Sequence, residues 1–259
     1  MATVISVALQ KGGTGKSTTA QAIANILGFR SKKVLLIDMD SQGNVTYASG
    51  TDTPQKSIVD VLEGNCTVNE ALINCKYYEL LAADSYLANV EIGEDIEPVL
   101  LKTAINPVIG TFDFIIIDTP PALGNLSFNS LVASDYVLIP VEARPFALQG
   151  LGALYDTVRS IKKKLNPELE IAGILMTKFN DRTVLNRDIR EMIEDFAKRK
   201  KITVFNTAIR ESIAVAEAQT VRKPLIDYAP KNNSNIDYEA FVDELMEKIG
   251  VWLYGKGIF

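Results

Sequence analysis

The 259-residue sequence contains no histidine. That excludes every mechanism turning on an imidazole, from Ser-His-Asp hydrolysis to His-ligated zinc. Cysteine is nearly as scarce: Cys66 and Cys75 give no disulfide framework and fit a reducing compartment. No uninterrupted apolar stretch approaches the ~18 residues of a membrane span. Residues 1–5 lack the basic stretch of a secretory signal. Repeats, low-complexity tracts and linker-like stretches are missing too, so one domain over 1–259 is expected. The first expected strand starts at residue 3, so no N-terminal helix-turn-helix extension and no operator-specific binding are expected. Any catalysis is left to carboxylates, lysine, arginine, hydroxyls, backbone amides or a metal held by oxygen.

What is present is ordinary for a globular chain, with 47% apolar and 23% charged residues. The net charge of −5 makes the whole chain repel nucleic acid. The charge is uneven, however. Residues 178–223 hold 11 Lys/Arg against 7 Asp/Glu, which permits a local anion-binding patch.

Short apolar, β-branched runs at 3–9, 33–37, 79–83, 112–117, 136–141, 170–176 and 202–205 read as strands. Several lack polar alternation, as in a parallel sheet buried on both faces. Helical patterns lie between and after them at 16–28, 57–62, 68–73, 148–165, 185–200 and 238–253. Thr67 and Glu70 have capping-box spacing. The alternation predicts an α/β fold: a doubly wound, mostly parallel sheet with helices on both faces.

The strongest motif is Lys11-Gly12-Gly13-Thr14-Gly15-Lys16-Ser17-Thr18, set between the first strand and the first helix. Phosphates approaching closely leave no room for Cβ atoms, hence the glycines. Backbone N–H groups of such a loop and its helix cradle the anion. Lys16 is placed to reach the β- and γ-phosphates of ATP, and the Ser17 hydroxyl to bind Mg²⁺. The standard pattern fails at one position: Gln10 stands where its first glycine belongs, and Lys11 is an additional lysine. Two strands end in acids, at Asp38-Met39-Asp40 and at Asp118-Thr119-Pro120-Pro121. Open α/β sheets bind ligands at such strand ends. Mg²⁺ takes few carboxylates, several waters and substrate phosphates. Asp38 and Asp118 are the metal candidates, Asp118 by holding a Mg²⁺-bound water.

These residues resemble the ParA/MinD group of P-loop ATPases with a deviant Walker A motif, whose signature is the first lysine, here Lys11. Asp38 to Asn44 resembles the group's first switch segment, and Asp118 to Pro121 its second. Phe146 to Gly150, Ala216 to Gln219, Lys223-Pro224 and the run from Ser57 to Leu62 resemble the ParA/Soj partition branch. The resemblance implies a Mg²⁺-dependent ATPase that is slow without a partner. It implies an ATP-sandwich homodimer that binds double-stranded DNA non-specifically. A ParB-type centromere-binding protein then stimulates hydrolysis and releases the dimer from DNA. It further implies that Lys11 reaches the partner's nucleotide and that Asp40 orients the attacking water. A cytoplasmic, nucleoid-associated protein is expected.

For DNA, the basic candidates are Arg187, Arg190, Arg210, Arg222 and Lys223, within a wider set that includes Lys178. The cluster at 198–201 has an equal explanation in the dipole of the helix it ends. Ala214 stands where many relatives have Arg. Residues 177–180 are placed for adenine by position only. A MinD-like membrane ATPase is the nearest alternative, but residues 250–259 have two glycines beyond Gly250, one lysine and no basic face. Trp252 and Leu253 are expected on the core, and no membrane is expected as a partner. Positioning of a protein cargo is the other alternative. Cys66 and Cys75 read as small core residues, which disfavours an iron–sulfur reductase of the same fold.

Overall fold

The protein is represented by a computed structural model that describes residues 1–92 and 97–251. Among the described residues the sheet has seven strands: β1 (Thr3–Val7), β2 (Val34–Asp38), β3 (Leu72–Asn74), β4 (Glu79–Leu81), β5 (Phe114–Asp118), β6 (Tyr136–Glu142) and β7 (Glu170–Thr177). Their spatial order is β3-β4-β2-β5-β1-β6-β7. Every pairing is parallel except β3 with β4. Every residue of β2 and β5 is buried, which explains why their sequences run apolar without alternation.

The helices are α1 (Lys16–Phe29), α2 (Asn44–Ala48), α3 (Ile58–Leu62), α4 (Val68–Ala71), α5 (Leu87–Ile92), α6 (Leu100–Ile105), α7 (Asn125–Val132), α8 (Ala147–Lys164), α9 (Val184–Lys200), α10 (Ile213–Thr220), α11 (Leu225–Tyr228) and α12 (Asn233–Lys248). On one face α1 packs beside α12 and fills the centre of the sheet with Ile23, Leu27, Phe241 and Leu245. Two further clusters, around α3, α6 and α7 and around α8 and α9, complete the core.

α1 positions the site, and its far end is fixed by backbone chemistry. Ser31 takes left-handed backbone at φ 62°. Its N–H donates to Gly28 O, and Lys32 N–H donates to Leu27 O. This pair of bonds is a Schellman stop and satisfies carbonyls the helix leaves open. Gly28 permits the close approach there: a Cβ on it would lie 1.7 Å from the Tyr77 carbonyl oxygen.

Three expectations change. The helix read over 68–73 is one turn, α4, with Glu70 accepting from both the N–H and the hydroxyl of Thr67. The chain then turns into edge strand β3, because Leu72 and Ile73 pair with β4. The strand read over 202–205 is a single bridge from Val204 to Ile174. Phe205 N–H still donates to Ile174 O at 3.0 Å, and its side chain enters the core, lying against Gly173 and edge-on to Phe241 at 5.0 Å. The last helix begins at Asn233, five residues before the expected start, with the Asn232 side chain accepting from Ser234 N–H. Trp252 and Leu253 lie outside the described residues.

Candidate active site

Gly13 (φ 76°) and Gly15 (φ 84°) hold the turn after β1 in left-handed backbone, which side chains with a Cβ rarely adopt. β7 braces that turn. Thr177 Oγ1 donates to Thr14 O at 2.8 Å, and Lys178 Nζ donates to Gly13 O at 2.9 Å. Pinning these carbonyls leaves the N–H groups at the head of α1, with the helix dipole behind them, for an anion.

The two lysines of the motif point different ways. Lys16 is 6% exposed. Burial pushes its ammonium below the usual lysine range, while Asp118 and Asp40 pull it back up. Its Nζ donates to Lys11 O at 3.0 Å. Lys11 is half-buried, and its own Nζ leaves the loop to donate to Pro145 O at 3.3 Å, in the segment after β6.

Asp38 and Asp118 are directly paired across β2 and β5, and both are fully buried. They differ in what they hold. Asp38 accepts from the Thr46 N–H and hydroxyl at 2.9 and 2.8 Å and from the Asp40 N–H at 3.1 Å. Its carboxyl is raised to about 6, chiefly by burial, with those hydrogen bonds opposing. Asp118 has no hydrogen bond of normal geometry on either oxygen. Burial and then the Asp38 charge push its carboxyl well above the usual range; the Ser17 side chain and the Lys16 ammonium oppose that rise. Such a buried, unpartnered carboxylate beside a serine and a lysine fits a hard divalent cation with its waters. Asp40 is 5% exposed, lines the cleft and accepts from Gln42 N–H at 3.1 Å.

Of these groups, Gly13, Gly15, Lys16, Asp40, Ser17 and Lys178 line one cleft of about 760 Å³, a volume that takes a nucleotide. Its floor is the phosphate loop, and one wall is Asp40, Gln42, Asn44 and Tyr47. The opposite wall is the segment from Ile209 to Thr220.

A family described as "AAA domain" matches residues 2–171. The sporulation initiation inhibitor protein Soj of Bacillus subtilis is 35% identical over 241 residues, covering 90% of this chain and 93% of that protein. The chain belongs to the Soj/ParA family of P-loop ATPases. The chromosome partitioning protein ParA of Myxococcus xanthus is 34% identical, over 95% of this chain and 88% of its own. Among solved structures, cobyrinic acid a,c-diamide synthase from Mycobacterium smegmatis with bound ADP and magnesium superposes with a TM-score of 0.83. It is 31% identical and covers 96% of both chains.

Within this Soj/ParA frame, four of the five basic residues expected at DNA have intramolecular partners. Arg187 donates to Asp181 O at 2.8 Å. Arg190 donates to Glu194 at 2.7 Å and lies over the Phe179 ring. Arg210 borders the cleft and forms a two-point pair with Asp237 at 2.9 and 2.6 Å. Arg222 forms another with Asp52. Lys223 is exposed. Lys178, grouped by sequence with the DNA candidates, reaches the phosphate loop instead. The wall formed by α10 is what sequence reasoning missed. Ser212 caps that helix, and Gln219 Nε2 donates to Thr18 Oγ1 at 3.1 Å. The signal available was the serine ahead of the run from Ile213.

Proposed function

We propose that this Soj/ParA-family ATPase is a nucleotide-gated partition protein. The amides of Gly12, Gly13, Thr14 and Gly15, with those at the head of α1, hold the phosphates of ATP. Lys16 gives up the Lys11 carbonyl for the β- and γ-phosphates, and Ser17 and Thr18 complete the nucleotide-binding set at the head of α1. Ser17 and Asp118, with Asp38 beside them, hold magnesium through its waters. When bound, the metal neutralises charge building on the phosphoryl oxygens. Asp40 orients the attacking water. Asp38 positions Asp40 by accepting its N–H, and Thr46 by accepting two bonds. In this reading two copies sandwich the nucleotides, the dimer binds duplex DNA without sequence preference, and a ParB-type partner triggers hydrolysis and release.

The observation that carries this reading is the divergence of Lys16 and Lys11. One ammonium faces inward beside Asp118 and Asp40; the other is turned out toward the loop after β6. A lysine turned away from its own nucleotide is available to a facing copy, which ties hydrolysis to dimerisation. No helix among the described residues is long and apolar enough to cross a membrane.

The test is binding to a random-sequence duplex with ATP, with ADP and without nucleotide, across a salt series. Binding only with ATP and Mg²⁺ is expected, with log K falling against log salt by about 0.9 for each phosphate neutralised. ATP binding without DNA binding in any state would sink the DNA arm. Liposome sedimentation with ATP would then identify a membrane track.

A further inference from the structure

Arg222 stands in a conformation that disfavours it. Its backbone φ of 54° is in the left-handed region, where glycine is at ease and other residues store strain. It closes α10: Val221 is the cap, and Arg222 N–H donates to Gln219 O. A glycine would serve that turn better, so the side chain must supply the compensation. It does so at two points. Its guanidinium donates to both oxygens of Asp52, at 2.9 and 2.5 Å. The same group lies 4.2 Å from the centre of the Tyr47 ring. Both partners belong to the stretch that follows the Asp38–Asp40 strand end. Tyr47 lies in α2 and lines the nucleotide cleft. Asp52 lies four residues past the end of α2, and α2 is tied to the nucleotide site through Thr46 and Asp38.

We propose that Asp52 is a built-in competitor for the Arg222 guanidinium, occupying the position a DNA phosphodiester takes. The planar fork of arginine donates to a carboxylate or a phosphate in the same two-point fashion. Asp52 is exposed, at 64% for its side chain, while Arg222 is more enclosed, at 30%. The acid can therefore swing into solvent and leave the guanidinium seated on Tyr47. Because Asp52 hangs from α2, a shift of α2 at the nucleotide site moves the competitor. Arg222 is thereby more than one basic residue among several: its availability reports the state of the cleft. This proposal rests on the DNA reading above and adds its regulation.

The experiment is a double-mutant cycle in duplex-DNA affinity at fixed salt, with an ATP analogue and with ADP. The proteins are the wild-type chain, Asp52→Asn, Arg222→Gln and the double variant. Asp52→Asn should tighten DNA binding by about fivefold or more, with the larger gain in ADP, narrowing the nucleotide dependence. In the Arg222→Gln background the same change should have almost no effect. A Glu63→Gln control reports how much any lost surface acid contributes. If the gain from Asp52→Asn persists without Arg222, or equals the control, the competition is wrong although the DNA reading stands. If the wild-type chain binds DNA in no nucleotide state, the DNA reading itself fails and the competition falls with it.

Discussion

Lys16 Nζ donates to the backbone carbonyl of Lys11, 3.0 Å away, so one lysine of the phosphate loop holds the residue that carries the other. The Lys11 side chain meanwhile points to Pro145. The loop thus presents one buried cation to its own cleft and one half-exposed cation outward. Lys16→Ala should cost ATP affinity directly. Lys11→Ala should leave ATP affinity within about twofold yet abolish partner-stimulated hydrolysis. Fluorescent-nucleotide titration and a phosphate-release assay separate the two. Normal ATP binding by the Lys16 variant would remove the loop assignment, and normal stimulated turnover by the Lys11 variant would remove its role across the dimer.

Asp40 sits against the cleft, with its backbone N–H held by Asp38 and its own oxygen holding Gln42 N–H. Asp40→Ala should therefore preserve ATP binding while slowing hydrolysis by roughly a hundredfold or more, as loss of a water-positioning group does. Size-exclusion chromatography with ATP should show an accumulated dimer. Loss of ATP binding would make Asp40 a structural or metal-holding residue instead.

Gly28 and Gly152 both lie in helices, yet opposite outcomes are expected for alanine. At Gly28 the new Cβ would meet the Tyr77 carbonyl at 1.7 Å, and backbone cannot step aside cheaply. Gly28→Ala should cost about 3 kcal/mol. At Gly152 nothing lies within 4 Å. There alanine should stabilise by about 0.5–1 kcal/mol through helix propensity. Urea midpoints for the two variants test this, and equal midpoints would contradict the packing at Tyr77.

Burial pushes the Cys75 thiol from 9.0 up to about 11. At pH 8 it should therefore carry roughly a hundredfold less thiolate than a free cysteine and alkylate correspondingly slowly. Its rate should climb about tenfold per pH unit until near pH 11. The unfolded chain ionises this thiol first, so the contribution to stability is full below pH 9 and is lost as pH rises toward 11. Iodoacetamide labelling read by peptide mass measures the rate. Labelling of Cys75 at pH 8 as fast as a model thiol would show that the loop after β3 opens freely.

Several elements were legible because their signals are local. β5 is a continuous apolar run because both its faces are covered. The phosphate loop could be read because left-handed turns at Gly13 and Gly15 demand glycine in place. α7 was not legible. Its residues Asn125, Ser127, Asn129 and Ser130 look like a loop, yet Ser127, Asn129 and Ser130 are buried. Their side chains bond back to carbonyls of the same stretch. The wall at α10 was also hidden, because few of its residues are buried and its place depends on Gln219 reaching Thr18, some two hundred residues earlier in the chain.

The phosphate loop, the acids at two strand ends, the parallel sheet and the exclusion of imidazole chemistry can all be read along the chain. Each follows from residue type and short spacing, which constrain the backbone without reference to the rest of the chain. Tertiary structure decided how the carboxylates divide the work: Asp38 is committed to Thr46 and Asp40, while Asp118 is left unpartnered in the same sheet. It also decided that Lys11 turns outward and that Arg222 is met by Asp52. Those outcomes depend on which side chains long-range folding brings within hydrogen-bond distance, and no local pattern encodes that distance.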